Sequence, residues 1–524
     1  MSETEKNREN AEARTQEQAQ PQGTTQPHDE AQAQKAQKVE RTTVPSSAQF
    51  QQFISSDWGT SASTAQRMDV ADYLPARHAA ISAQFPNACC VIQAGPYKTR
   101  SNDTTYRFRA HSAFSHMTGL GEEKEPDAVF ILTPKGDSHK AVLYFRPRAP
   151  HTDEEFYKDA RYGEFWVGPR PTLDDMYIMT GIETKDIREL EADLTALLNA
   201  NHDIITLPNS DPNITELVTR LHDDAGKTPN TERNTELERA LSELRLIKDE
   251  WEIRQMREAV AATHAGFDTI IRELPRATQH PRGERVVETA FFQRAREEGN
   301  GLGYDTIAAS GDHANTLHFI DNNGPVNESD LILIDAGVEL DSLYTADITR
   351  TLPVSGTFTE VQAKIYQAVL DAAEAALRTA QSTNPRPRFR DVHNTAMNVI
   401  AHRLGEWGLL PCSVEESLKG DVQYHRRWMP HGTSHHLGID VHDCAQARQE
   451  MYMDATLAPG MCFTIEPGLY FHANDEKVPE EFRGIGVRIE DDILVTEEGA
   501  ERLSEAIPRT VTDVEAWIAD VWNS

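Results

Sequence analysis

Apolar and polar positions change rhythm several times along this chain. Residues 1–47 are rich in Gln, Glu, Thr and Ala and nearly empty of large apolar side chains. Such a segment buries too little surface to offset its ordering entropy, so a disordered tail is expected there. Order is expected from near Phe53. Over 69–85 (DVADYLPARHAAISAQF), Leu74, Ala80, Ile81 and Phe85 recur at roughly helical spacing, which predicts a helix. Short apolar runs then alternate with turn residues: CCVIQAG (89–95), AVFILTP (128–134) and AVLYFRP (141–147). These predict strands. DIRELEADLTALLN (186–199) predicts another helix. The polar stretch 227–237 (KTPNTERNTEL) reads as a boundary. Beyond it, 246–274 carries a long helical pattern, and 360–380 and 391–408 carry two more. The pattern predicts an α/β (α+β) protein with a disordered tail over 1–47. A mixed αβ accessory domain over 48–235 and a larger domain over 236–524 complete it. No internal repeat of fixed period is visible.

Composition narrows the class. With 524 residues the chain has room for two to four domains and a sizeable core. Its formal net charge is -32, from 84 acidic and 52 basic residues. A surface this acidic argues against nucleic acid and against anionic membrane as partners. The five cysteines, Cys89, Cys90, Cys412, Cys444 and Cys462, are odd in number and form no CxxC. They suit thiols in a reducing compartment better than a disulfide scaffold. The first residues, MSETEKNRENAEARTQEQAQ, lack the apolar core of an export signal, and no apolar run is long enough to span a bilayer. A soluble, cytoplasmic protein is expected.

Candidate chemistry gathers after residue 330. The run Leu331–Ile334 ends in Asp335, and a turn-like stretch at Asp341-Ser342 leads into a second run carrying Asp347. An aspartate inside a β-rich run such as TADITRT is unfavourable on propensity, so a partner is expected. A hairpin would set the two carboxylates side by side. Three later stretches add to them: HGTSHHLGIDVH (431–442), TIEPGLY (464–470) and GVRIEDD (486–492). Gly432 and Gly438 make part of the histidine-rich stretch loop. Taken singly, it reads as a surface loop. Glu466 precedes Pro467-Gly468, which ends its strand and presents the carboxylate at a turn. Arg488 and Glu490, two apart in a strand, share a face, so Arg488 is placed to orient acidic ligands. Taken singly, those two read as an exposed ion pair. Together, Asp335, Asp347, His435, Glu466 and Glu490 suit a pair of hard or borderline divalent cations. Such a pair acidifies a shared water and polarises a carbonyl, and a nearby glutamate can pass the proton to a leaving amine. No GxSxG, HExxH or P-loop supports a rival chemistry. The expected protein is a two-metal hydrolase.

These motifs resemble the metal-dependent pita-bread peptidases (M24 type), the family of aminopeptidase P, prolidase and methionine aminopeptidase. The resemblance spans roughly 240–505. It implies a pita-bread catalytic domain whose metals, commonly manganese with cobalt or zinc as alternatives, sit on the five ligands, with Asp347 and Glu490 bridging. It further implies that His318, in NTLHFIDNN, and His431 and His442 contact substrate and stabilise the reaction centre. Glu466 would join them in catalysis. Tyr304 would stand near the substrate amine, Arg488 near the metals, and Tyr470, in EPGLY, by the proline-side pocket. The stretches YRFRAHSAFSHMTGL (106–120) and GEFWVGPR (163–170) resemble the N-terminal domain of aminopeptidase P. Ser115-His116 depart from its aromatic pair, a change expected at a substrate-facing or subunit-facing surface. The turn between Asp335 and Asp347 looks one residue longer than usual, at a hairpin tip. The resemblance implies an Xaa-Pro aminopeptidase and a homo-oligomer, a dimer or tetramer. The alternatives are an Xaa-Pro dipeptidase (prolidase), a metal-free amidinohydrolase of the creatine type, and a noncatalytic binding protein on the same fold.

Overall fold

The computed structural model describes residues 45, 47–59, 63–122 and 124–524. The tail expected over 1–47 lies outside them, Pro45 and Ser47 apart. The described chain divides into two units. One combines residues within Met1–Ser61 with Arg148–Arg170, and the other combines Ala62–Pro147 with Pro171–Ser524. In the first, Ser47 caps helix Ala48–Ser55 by accepting from the Phe50 amide. There the Trp58 ring lies edge-on to Phe156 and Phe165.

In the second unit a five-stranded sheet comes first. Its strands run in the order Glu183–Asp186, Ser138–Phe145, Val129–Lys135, Ala88–Gln93, Asp203–Thr206. The central strand is antiparallel to Val129–Lys135 and parallel to Asp203–Thr206. It is buried throughout because both faces are covered, so its sequence is continuously apolar rather than alternating. Cys90, Ile92, Phe130, Leu132, Leu143 and Phe145 pack against helices Leu74–Gln84, Ser112–Thr118 and Thr231–Leu244. Cys89, Val91, Val129, Ile131 and Val142 pack against Leu190–Asn199 and Pro212–Asp224. Each fully buried aliphatic or aromatic side chain contributes about 1.5–3 kcal/mol.

The stretch expected as a boundary is loop only over 227–230. Helix Thr231–Leu244 starts inside it, capped by Asn230, and its Leu237 is fully buried. The long helix expected over 246–274 runs from Glu250 to Ala277, and an Asp249/Glu252 capping box sets its start.

From there an order of two helices followed by a three-stranded sheet occurs twice. Helices Glu250–Ala277 and Gly283–Glu298 precede strands Ile307–Ser310, Leu331–Ala336 and Ile348–Pro353. Helices Glu360–Ala380 and Phe389–Glu406 precede Cys462–Ile465, Asp491–Thr496 and Gly499–Arg502. This is the pita-bread arrangement, and its duplication leaves no repeat in the sequence. Strand Leu331–Ala336 lies between the two cores. Ile332, Ile334 and Ala336 join the core of the first helix pair, and Leu331 and Leu333 join that of the second. Asp335 shares the Leu331/Leu333 face, because side chains alternate.

One surface expectation is corrected. Ser115 and His116 are buried in helix Ser112–Thr118, and His116 Nε2 lies 3.4 Å from Glu252 of the long helix. They therefore meet neither solvent nor a second subunit. The turn between Asp335 and Asp347 does lie at a hairpin tip: Asp341 and Ser342 form it, Asp341 is exposed, and its carbonyl accepts from the Glu122 amide. No helix among the described residues is long and apolar enough to cross a membrane.

Candidate active site

The hairpin expected between Asp335 and Asp347 forms. Leu331–Ala336 pairs antiparallel with Ile348–Pro353, with Asp335 opposite Thr349. Asp347 stands one residue before its strand, where an aspartate no longer opposes β propensity. Between them is Tyr304, whose Oη lies 2.7 Å from Asp335 Oδ1 and 2.5 Å from Asp347 Oδ1. One phenol proton serves only one of those oxygens at a time.

The other acids enter from breaks between strands. Glu466 lies between Cys462–Ile465 and Gly468–Phe471, where Pro467 interrupts pairing. Its side chain is only 16% exposed, facing a cavity rather than open solvent as the turn suggested. Arg488 ends strand Ile485–Arg488, whereas Glu490 falls in the gap before Asp491–Thr496. They do not share one continuous strand, and both are buried rather than an exposed pair. Thr349 Oγ1 joins them: it donates to Glu490 Oε2 (2.6 Å) and accepts from Arg488 Nε (3.1 Å). Arg488 also donates to Asp335 Oδ2 (2.6 Å) and to Tyr470 Oη (3.2 Å).

The histidine-rich stretch is loop, as its glycines indicated. His435 Nδ1 lies 3.2 Å from the His436 carbonyl, which assigns the Nδ1 proton there. Its Nε2 faces Asp347 Oδ2 at 3.3 Å and Glu466 Oε1 at 3.7 Å. The Tyr470 hydroxyl accepts from Arg488 and so gives its own proton to His431 Nε2, 2.7 Å away. His431 Nδ1 donates to the Gly432 carbonyl. His431 is thus neutral, its pKa lowered to about 3 by burial and by Arg488. His318 and His442 complete the wall of a cavity of about 340 Å³ with Leu317, Ser434 and all five candidate ligands.

The electrostatics call for cations. Glu466 is pushed up to about 7 by burial and by the charges of Asp347 and Asp335, against His435 and Arg488. Burial and the neighbouring carboxylates hold Glu490 well above the usual range and raise Asp347. Burial opposes the imidazolium of His435, yet the Asp347 hydrogen bond and the Glu466 charge outweigh it and bring its pKa up to about 9. Protons thus stand in for missing positive charge. Donor atoms of Asp347, His435 and Glu490 lie within 4.8 Å of one another, the reach of one ion. Four carboxylates match the charge of two divalent cations, and His435 Nε2 offers them a lone pair once its proton leaves. The donor set fits such a pair.

Tyr304 and Tyr470 are placed behind the carboxylates and His431 rather than among the cavity-lining residues. Sequence reasoning missed Thr349 and Asp492. Thr349 is two residues after Asp347, on the face the strand turns to the site. Asp492 is fully buried and accepts the Asp347 amide at 3.2 Å. It is two residues after Glu490, so the GVRIEDD motif held the signal. The acid between them, Asp491, is held instead by Arg350 and Arg509 in a buried ion-pair network.

The fold and this cavity define a metal-dependent hydrolase. The sequence model of metallopeptidase family M24 matches residues 254–497, and that of the aminopeptidase P N-terminal domain matches 74–206. Xaa-Pro aminopeptidase 1 of Streptomyces coelicolor is 48% identical over 85% of this chain and 86% of its own length. Xaa-Pro aminopeptidase 2 of the same organism is 46% identical over 86% and 91%. Among solved structures, aminopeptidase P of Escherichia coli in its low-pH form aligns with a TM-score of 0.75 at 30% identity, covering 87% of this chain and 99% of that one. The chain belongs to metallopeptidase family M24, on its aminopeptidase P branch.

Proposed function

We propose that the protein is an Xaa-Pro aminopeptidase that releases an N-terminal residue from peptides with proline in second position. The observation that carries this reading is the convergence of Asp335, Asp347, His435, Glu466 and Glu490 on one cavity, in a chain of this family. The match of 74–206 to the aminopeptidase P N-terminal domain favours it over a dipeptidase. In this proposal Asp335, Asp347, His435, Glu466 and Glu490 would hold two divalent cations, manganese ahead of cobalt or zinc. With the cations bound, the centre supplies acidification of a water and polarisation of the scissile carbonyl.

The chain's own groups supply the rest. Glu466 takes a proton at its carboxylate and passes it to the leaving proline nitrogen. His431, neutral and fixed by Tyr470, and His318 and His442 across the cavity, orient the peptide. Arg488 keeps Asp335 and Tyr470 in place. An X-Pro bond is a tertiary amide without N–H, so a site that acts on its carbonyl loses nothing where peptidases that bind that N–H fail.

A tail over 1–47, an accessory domain over 48–235 and a catalytic domain over 236–524 belong to the proposal, as does a cytoplasmic location. So does a homo-oligomer, dimer or tetramer, which the exposed Phe165 and Trp166 support. A monomer by light scattering would end that part.

The test is hydrolysis of Xaa-Pro-Yaa tripeptides beside Xaa-Pro dipeptides. Cleavage of the tripeptide before proline is expected. Cleavage confined to the dipeptide would make the protein a prolidase, and cleavage of neither by metal-loaded protein would end the peptidase reading.

A further inference from the structure

His442 lies on the cavity wall, yet among the described residues no hydrogen bond holds its imidazole. Its ring rests edge-on against His435, 4.4 Å between centroids. Its place is therefore set by the backbone that carries it. On one side that backbone is fixed within the catalytic sequence. The Asp443 amide donates to the His436 carbonyl, and Arg245 Nε donates to Asp443 Oδ1 at 2.9 Å.

On the other side it is held by residues far earlier in the chain. Arg109 Nη2 donates to the Ile439 carbonyl at 2.6 Å, and Nη1 reaches Asp440 Oδ1 at 3.3 Å. Ser112 Oγ donates to the same Asp440 oxygen at 2.6 Å. Arg109 Nε donates to Glu339 Oε2 at 2.9 Å, and Glu339, also bonded by Asn300, follows Asp335 in the metal-ligand hairpin. One guanidinium thus binds the loop that carries His442 and the hairpin that carries Asp335 and Asp347. A planar fork with five donors can span three acceptors in this way, and an ammonium cannot. Arg109 and Ser112 belong to the RxxS of YRFRAHSAF, which the hydrolytic chemistry does not otherwise use.

We propose that Arg109 and Ser112 are positioning residues for catalysis. By fixing Ile439 and Asp440 they set where the His442 imidazole stands on the cavity wall. The inference rests on the reading of His442 as a group that acts on the substrate.

Asp440→Ala tests it most cleanly. It removes the carboxylate that accepts from both side chains, while the Arg109 bonds to the Ile439 carbonyl and to Glu339 remain, so no buried charge is orphaned. Misplacement by even about 1 Å can cost up to about 100-fold in rate. Expected for manganese-loaded Asp440→Ala is a kcat on Xaa-Pro-Yaa lower by about tenfold, with KM within about twofold and manganese binding unchanged. In a His442→Ala background the same change should cost nothing further. Arg109→Met and Ser112→Ala should follow the same pattern, and Ser112→Ala keeps the test open if Arg109→Met does not fold. An unchanged kcat in Asp440→Ala, or an equal fold-loss with and without His442, would overturn the inference alone. Full activity of His442→Ala would overturn the reading beneath it.

Discussion

Thr349→Val is the sharpest probe of the site, because it changes one atom's chemistry and almost no volume. The position is fully buried in a strand, where valine's shape is at home. The hydroxyl makes two bonds, donating to Glu490 and accepting from Arg488. In the metal-free protein burial and its carboxylate neighbours favour the neutral form of Glu490, and a bond to that form is worth about 1 kcal/mol. When cations bind, Glu490 ionises, and the same bond becomes charge-assisted, about 1.5–3 kcal/mol. The difference, about 0.5–2 kcal/mol, falls on metal binding. It corresponds to a loss of about two- to thirtyfold in affinity for the cation on Glu490. That overlaps the loss common for groups that orient metal ligands. Isothermal titration of the metal-free variant with manganese reads this directly, and a melting curve without metal reads the cost to the fold, to which the unpaired Arg488 Nε adds. A variant that binds manganese as the parent does, with an equal stability loss in both states, would refute the placement of Thr349 behind Glu490.

Other consequences follow from the same geometry. Arg488→Met leaves the buried Asp335 carboxylate without its cation, at a cost of about 3–5 kcal/mol to the metal-free fold; an unchanged urea midpoint would contradict the pairing. Glu284 is fully buried and accepts the Ser310 and Gly324 amides that bracket the His318 segment. Glu284→Ala should cost about 2 kcal/mol or more and speed hydrogen exchange at both amides; unaltered exchange would refute that role. The pKa values of Glu466 and His435 both move up on folding, from 4.5 to about 7 and from 6.5 to about 9. The folded metal-free chain therefore keeps protons that the unfolded chain has lost. The stability these two groups contribute falls as pH rises from 4.5 through about 7, and again from 6.5 through about 9. Melting curves across that range should show the fall without metal and a smaller one with saturating manganese; a rise in stability without metal would count against the crowded-carboxylate account.

Much of the site was legible because its residues sit where local chemistry marks them. Asp335 ends a buried apolar run, Glu466 precedes a Pro-Gly break, and the paired glycines flag the histidine loop. Geometry beyond a few residues was not legible. The polar surface of Thr231–Leu244 masks a helix that buries Leu237 and Leu241 on one stripe, so composition alone read its start as linker. Three adjacent acids in GVRIEDD look equivalent, yet Glu490 faces the cavity, Asp491 meets arginines and Asp492 backs Asp347. Which of them serves which partner depends on a strand break between Arg488 and Asp491 that periodicity cannot show. The duplicated order of helices and sheet is invisible for a similar reason: packing preserves volume and alternation, and many side chains satisfy both. Ser115-His116 read as a change at a substrate-facing or subunit-facing surface because they replace the aromatic pair of the resembled family. Burial against Glu252 gives His116 a polar neighbour inside instead.

The central claim is that four carboxylates and one imidazole hold two cations that make this chain a peptidase. Metal-stripped protein titrated with manganese, with bound metal and cleavage of an Xaa-Pro-Yaa tripeptide measured at each step, tests it directly. No cleavage is expected without metal, and cleavage should reach its plateau as binding approaches about two ions per chain. Full cleavage by protein shown to hold no metal, or two ions bound with no cleavage, would contradict it.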